Sequence, residues 1–209
     1  MSDISIKVCG MKEPENILAV AKLDPNYMGF IFYKASPRYA GTLDPVVIKQ
    51  VPSHICKVGI FVNETEQEIR TIVNKYDLQA VQLHGNETPD MCQTLKEDGI
   101  CTIKALPVTG KETFDRAKTY DTACDYILFD TQTKLYGGSG QKFDWSLLDK
   151  YKGNLPFFLS GGIGPDDTHS IIKYRHMKIH AIDVNSGFEI SPGIKDIQKL
   201  SSFIRMLRH

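Results

Sequence analysis

Eight short apolar runs divide this chain, and each stops at a polar residue, a glycine or a proline before a helical stretch begins. The runs are Ile4–Val8, Met28–Phe32, Val58–Val62, Ala80–Leu83, Thr102–Leu106, Tyr126–Phe129, Phe157–Leu159 and Ala181–Val184. Eight strands alternating with helices predict a single α/β domain over residues 1–209, a closed (β/α)8 or TIM barrel. An open doubly wound sheet alternates in the same way, but it usually has a glycine-rich turn after its first strand. Only Gly10 stands there. Barrels of this kind carry their chemistry at the carboxyl ends of the strands. The residues that end the runs are therefore an inventory of the site: Cys9, Tyr33, Asn63, His84, Pro107, Asp130, Ser160 and Asn185.

Length agrees with that architecture. The chain has 209 residues, near the lower limit of about 200 for such a barrel, which leaves little room for insertions. Its 25 basic and 25 acidic side chains cancel, so charge gives no reason to expect nucleic acid or an anionic membrane as partner. The five cysteines, Cys9, Cys56, Cys92, Cys101 and Cys124, show no zinc spacing. Their odd number, with no leader-like start and no apolar stretch of ~20 residues, reads as a reducing cytoplasm.

Helix starts are marked by their caps. Asp44-Pro45 and Thr88-Pro89 pair a capping residue with proline at the first helical position. Thr65 with Glu68 fits a capping box. Helices are also expected after Pro14, within 111–119, after Phe143-Asp144-Trp145, from Pro165-Asp166-Asp167, and from about Lys195 to the end. Residues 132–142 are polar, hold three glycines and read as a mobile loop.

Several strand ends carry chemistry. Gly161-Gly162-Ile163-Gly164 follows strand seven, and Asn185-Ser186-Gly187 follows strand eight. Glycines let backbone N–H groups approach an anion, and loops at these two places in a barrel often hold phosphate. Cys9 ends strand one, with Lys7 on the same strand face, where an ammonium favours a thiolate. A small buried hydrophobe is the plainer reading of Cys9 alone. Asp130 closes an apolar strand, and a carboxyl in such a place is either a cap or a general acid. Arg38, just past strand two, suits a planar carboxylate. Asp183, inside strand eight, needs a partner and is expected to orient Arg38 or face a ligand. His84 is as well explained by structure as by ligand contact. Lys57 and Lys104 lie in strands and are candidates for a Schiff base without a context that demands one.

Taken together these segments resemble the phosphoribosylanthranilate isomerase family. The matching stretches are Lys7-Val8-Cys9-Gly10, Gly29-Phe30-Ile31-Phe32-Tyr33, Ser36-Pro37-Arg38-Tyr39, Val58-Gly59-Ile60-Phe61-Val62-Asn63 and Gln82-Leu83-His84-Gly85. They continue with Asp130, Gly137-Gly138-Ser139-Gly140, Phe143-Asp144-Trp145, Ser160-Gly161-Gly162, Asp183, Ser186-Gly187, and Pro192-Gly193 with Lys195-Asp196. Differences fall at Lys34-Ala35, Ile163-Gly164 and Asn185, where the family more often has proline-lysine, leucine-asparagine and serine.

The resemblance implies an Amadori rearrangement of N-(5'-phosphoribosyl)anthranilate, with Cys9 as general base and Asp130 as general acid. It implies Arg38 at the anthranilate carboxylate, His84 and Asp183 among the substrate-binding residues, and phosphate against Gly161, Gly162, Ser186 and Gly187. It implies no metal and no organic cofactor, a small phosphorylated aminosugar as the partner, and a monomer or a homodimer. The chemistry is coherent with this: ring opening gives an iminium that acidifies the neighbouring C–H, so a weak base suffices. Another phosphosugar isomerase, an epimerase, a lysine-dependent aldolase and a non-catalytic phosphate-binding barrel remain as alternatives.

Overall fold

The structure is a computed structural model that describes residues 4–131, 143–174 and 177–208. The glycine-rich stretch 132–142, expected to be mobile, lies outside the described residues. The first eight strands are β1 (Ser5–Val8), β2 (Tyr27–Ile31), β3 (Cys56–Phe61), β4 (Ala80–Leu83), β5 (Cys101–Val108), β6 (Tyr126–Thr131), β7 (Phe157–Leu159) and β8 (Ile179–Val184). Each pairs in parallel with the next, and β8 pairs with β1, so the sheet closes in chain order. The predicted barrel is present.

The runs are mostly apolar because both faces of such strands are buried. Side chains alternate between the faces. Val58, Ile60, Ile103, Ala105, Leu128 and Phe158 fill the interior with Cys9. Ile6, Val8, Phe61, Leu106, Ile127 and Phe129, one position out of step, join the layer packed under the helices. Those helices are α1 (Pro14–Ala21), α2 (Pro45–Lys49), α3 (Glu66–Tyr76), α4 (Pro89–Glu97), α5 (Lys111–Lys118), α6 (Thr168–Lys173) and α7 (Ile197–Arg208). Three begin at the predicted caps: Asp44 accepts from the Val46 N–H, Thr65 from Glu68 and Thr88 from Met91.

Two expected helices differ. After Trp145 the chain makes a 3-10 helix, Trp145–Lys150. Pro165–Asp167 is also 3-10, and α6 follows it. Asp167 turns its carboxylate back to accept the Gly164 N–H at 2.7 Å, which tightens the first turn. After β8 a 3-10 turn, Ser186–Phe188, leads into a hairpin that the runs did not announce, β9 (Glu189–Ser191) and β10 (Ile194–Lys195).

The lysines inside strands are tied down. Lys104 is fully buried and donates to Leu83 O, Gly85 O and Glu87 Oε2 at 2.9, 2.8 and 2.7 Å, which uses all three ammonium protons. Glu87 also accepts the Asn63 and Gly85 N–H groups, so this pair staples the loops after β3 and β4. Burial works against the Glu87 carboxylate, but Lys104, the Asn63 N–H and its own N–H outweigh it and keep its pKa below the usual value. Lys57 pairs with Asp77 at 2.6 Å. Neither lysine is left free for a Schiff base. At the amino end, Tyr27, Tyr126 and His180 close the barrel floor, with the Tyr27 hydroxyl 2.7 Å from His180 Nε2.

Replacing Lys104 by methionine leaves the Glu87 carboxylate buried among neutral donors. Losing one partner of a buried pair costs about 3–5 kcal/mol. Urea unfolding of Lys104→Met is expected to show a loss of that size, and a loss under about 1 kcal/mol contradicts the staple.

Candidate active site

Strand alternation places Lys7 and Cys9 on the inner face of β1. Cys9 leaves the strand with its N–H bonded to Val184 O at 2.9 Å, and it is almost wholly buried. Gly29 makes the room: a Cβ there would stand 2.9 Å from Cys9 Sγ and 3.1 Å from both Cys9 Cα and Ile60 Cδ1. Burial pushes the Cys9 thiol above its ordinary pKa. Lys7 opposes the rise, Asp183 adds to it, and Lys195 opposes it. The ammonium expected to favour the thiolate is in place, but desolvation is the larger effect.

Lys7 does not serve Cys9 alone. It donates to both oxygens of Asp183 at 3.0 Å, and both side chains are buried. Burial disfavours the ammonium, but Asp183 and Cys9 outweigh this and hold its pKa above the usual lysine value. The expectation that Asp183 orients Arg38 is therefore corrected. Lys7 takes Asp183 because the two are Cα partners in the β1–β8 register. Burial raises the Asp183 pKa, Lys7 opposes the rise, and the charge of Asp130 adds to it.

Arg38 is held by Glu189, a residue the sequence did not single out. Its Nε donates to Glu189 Oε1 and Oε2 at 2.9 and 3.1 Å, and Nη2 donates to Oε2 at 2.6 Å. Lys195 Nζ donates to Glu189 Oε1 and to Asn185 Oδ1, each at 2.7 Å. Gly10 lets this group come close to Cys9. Its φ of +76° is left-handed, and a Cβ there would stand 2.6 Å from Asn185 Oδ1 and 2.7 Å from Arg38 Cδ. The Pro192-Gly193 step, flanked by Ile190-Ser191 and Ile194-Lys195, was the available signal for the hairpin.

On the other side, Asp130 is the next-to-last residue of β6 and stands inside the mouth, with His84 Nε2 3.5 Å from its Oδ2. Gln82 Nε2 donates to His84 Nδ1 at 2.9 Å. With Nδ1 accepting from Gln82, the ring N–H on Nε2 faces Asp130. Two strands, β7 and β8, separate β6 from β1 on the shorter way round, so thiol and carboxyl stand across the mouth from each other.

Between them lie the loops after β7 and β8. Gly161 and Gly162 both have positive φ, +99° and +65°. A Cβ on Gly161 would stand 2.2 Å from Thr131 Oγ1, and one on Gly187 would stand 2.4 Å from Ile163 O. The two backbones thus run against each other, and the Ser186–Phe188 turn opens with N–H groups that no helical carbonyl can take. Gly187 lies against Ile163 and Gly164, which sets the loop after β8 beside the loop after β7. Ser139 and its neighbouring glycines lie outside the described residues. Among the described residues no cluster of three or more histidine, cysteine or acidic side chains is placed to hold a metal, and no helix is long and apolar enough to cross a membrane.

The model of the N-(5'-phosphoribosyl)anthranilate isomerase family matches residues 6–206. The chain belongs to that family. It is 48% identical over 207 residues to the N-(5'-phosphoribosyl)anthranilate isomerase of Parabacteroides distasonis, covering 98% of this chain and 93% of that protein. The isomerase of Phocaeicola vulgatus is 40% identical, with 97% of each chain covered. Among solved structures, the Thermotoga maritima phosphoribosylanthranilate isomerase superposes with a TM-score of 0.83 at 35% identity, covering 98% of both chains. A family structure in complex with reduced 1-(o-carboxyphenylamino)-1-deoxyribulose 5-phosphate superposes with a TM-score of 0.81 at 32% identity and the same coverage.

Gly29→Ala tests the seating of the thiol. The added methyl displaces Cys9, and a shift of about 1 Å costs roughly 10²-fold in turnover. That loss is expected in kcat with the fold retained by circular dichroism, and an undiminished kcat contradicts the packing argument.

Proposed function

We propose that this chain converts N-(5'-phosphoribosyl)anthranilate to 1-(o-carboxyphenylamino)-1-deoxyribulose 5-phosphate by moving protons between Cys9, Asp130 and the sugar. The isomerase activity, a step of tryptophan biosynthesis, comes from the family. The roles of Cys9 and Asp130 are those the family resemblance implies, and the geometry supports them. One observation carries them: a buried thiol and an inward carboxyl face each other across the mouth, with the glycine loops between them.

Asp130, in its acid form, protonates the furanose ring oxygen. The C1–O bond breaks and the nitrogen lone pair forms the C1=N iminium. The Cys9 thiolate then removes the proton from C2, and the electron pair moves to give the enolamine. Return of a proton to C1 and loss of one from the C2 hydroxyl gives the ketone. No electrons enter or leave, so the step balances without a redox partner. His84 N–H faces the Asp130 carboxylate left after the first transfer, and the partial pairing at 3.5 Å suits a group that changes charge during turnover.

The substrate's two anionic ends have separate seats. The phosphate rests on Gly161, Gly162, Ser186 and Gly187, where glycine backbone approaches closely. The ring carboxylate meets Arg38, whose guanidinium matches it in shape and charge. Asp183 contributes by holding Lys7 beneath Cys9, not by meeting Arg38. An aldolase lacks its lysine here, since Lys57 and Lys104 are both engaged.

Loss of phosphoribosylanthranilate fluorescence measures turnover. Cys9→Ser and Asp130→Asn are each expected to fold and to lose about 10²–10⁴-fold, the usual contribution of general acid–base groups. A rate like the unaltered protein's in either variant removes that residue from its role. The pH profile gives a second check. The base acts deprotonated and burial raises its pKa, so kcat/KM should climb with pH, with its rising limb alkaline of the ordinary thiol value of about 8.5. A limb well below that value that is unchanged in Cys9→Ser assigns the base elsewhere.

A further inference from the structure

The hairpin after β8 supplies the partner of Arg38, and the form of that pairing has a consequence for substrate choice. Arginine has five N–H donors on a planar fork. Glu189 takes the side of the fork, Nε and one proton of Nη2. Three donors are left: two on Nη1 and one on Nη2. The pair that projects from the end of the fork matches a second carboxylate bidentately. Glu189 fixes the guanidinium plane and leaves its recognition edge open.

Glu189 is itself fixed. It accepts from Lys195 Nζ at 2.7 Å and from the Gly193 N–H at 3.0 Å. Lys195 is clamped through its main chain: its N–H donates to Asn16 Oδ1 at 2.8 Å, and its C=O accepts from Asn16 Nδ2 at 2.9 Å. The hairpin is thus tied to α1, and Arg38 inherits that rigidity. The charges matter too. While Cys9 is a neutral thiol, Arg38 and Lys195 carry two positive charges and Glu189 one negative, so one positive charge is left over. A ligand carboxylate at the free edge would balance it. A pair serving only to dock the hairpin would need no surplus.

We propose that Glu189 is a positioning residue that sets specificity for the aromatic carboxylate, by holding Arg38 side-on with the end of its fork toward the substrate. This rests on the reading that Arg38 meets that carboxylate. Pre-fixing the fork removes side-chain entropy that arginine would otherwise lose on binding. Glu189 touches no reacting atom.

The test compares two probes by titration calorimetry: reduced 1-(o-carboxyphenylamino)-1-deoxyribulose 5-phosphate and the same compound without its ring carboxylate. The unaltered protein is expected to prefer the first by tenfold or more, the order expected of a charge-assisted bidentate contact. Arg38→Met should abolish the preference. Glu189→Gln should cut it by about tenfold, while binding of the carboxylate-free probe stays within about twofold, and should raise KM more than it lowers kcat. Glu189→Asp keeps the charge, recovers part of the preference, and is read alone if the glutamine variant does not fold. A full preference in the folded Glu189 variants, with loss in Arg38→Met, overturns the role of Glu189 and leaves Arg38 in place. Equal weakening of both probes also overturns it, since that is what docking of the hairpin alone would give. A preference that survives Arg38→Met overturns the reading of Arg38 itself.

Discussion

The ion pair of Lys7 with Asp183 stands at the seam where the barrel closes. The two residues face each other in the β1–β8 register, and each is buried. A slip of one residue would turn every side chain of a strand to the opposite face. It would carry Asp183 out of the interior and leave an ammonium without a counter-charge, at a cost of several kcal/mol. Replacing such a pair by apolar residues is often no loss in stability. Its contribution here is to make closure in any other register unfavourable. Cys9, one pleat above Lys7, Arg38 beside Gly10, and the loops after β7 and β8 all take their places from that closure.

Charge in this barrel is arranged in layers. At the floor, aromatic rings and a histidine fill the space. Above them comes the neutralised pair of Lys7 and Asp183. At the mouth the groups are unequal: Arg38 and Lys195 share one glutamate on one side, and Asp130 faces His84 on the other. A substrate with two anionic ends and a sugar between them meets a mouth that is positive on one wall and carries a carboxyl on the other. That separation lets a single cavity offer a proton at one wall and accept one at the other.

The strands were legible because burial on both faces makes a run mostly apolar, and Ala80–Leu83 needed no adjustment. Caps were legible because Asp44, Thr65 and Thr88 act within three residues of themselves. The 3-10 turns at Trp145 and Pro165 were not, since a cap and a proline start either kind of helix. Asp167 decides the matter by reaching back to Gly164. Cys9 and Asp130 could be picked out by position, whereas Glu189 could not. Its partner Arg38 is 151 residues away, and only the closed barrel brings them together. Asp183 was recognised as needing a partner, but the choice between Arg38 and Lys7 depends on strand register, which apolar runs do not encode.

The bonds between Asn16 and Lys195 join positions 179 residues apart. During synthesis the amino-terminal strand, with its thiol and its ammonium, leaves the ribosome long before Asp183, Glu189 or Lys195 exists. No growing chain can assemble the mouth early, and a chain that stops before Glu189 keeps the Lys7–Asp183 pair but leaves the Arg38 guanidinium at the rim without its carboxylate.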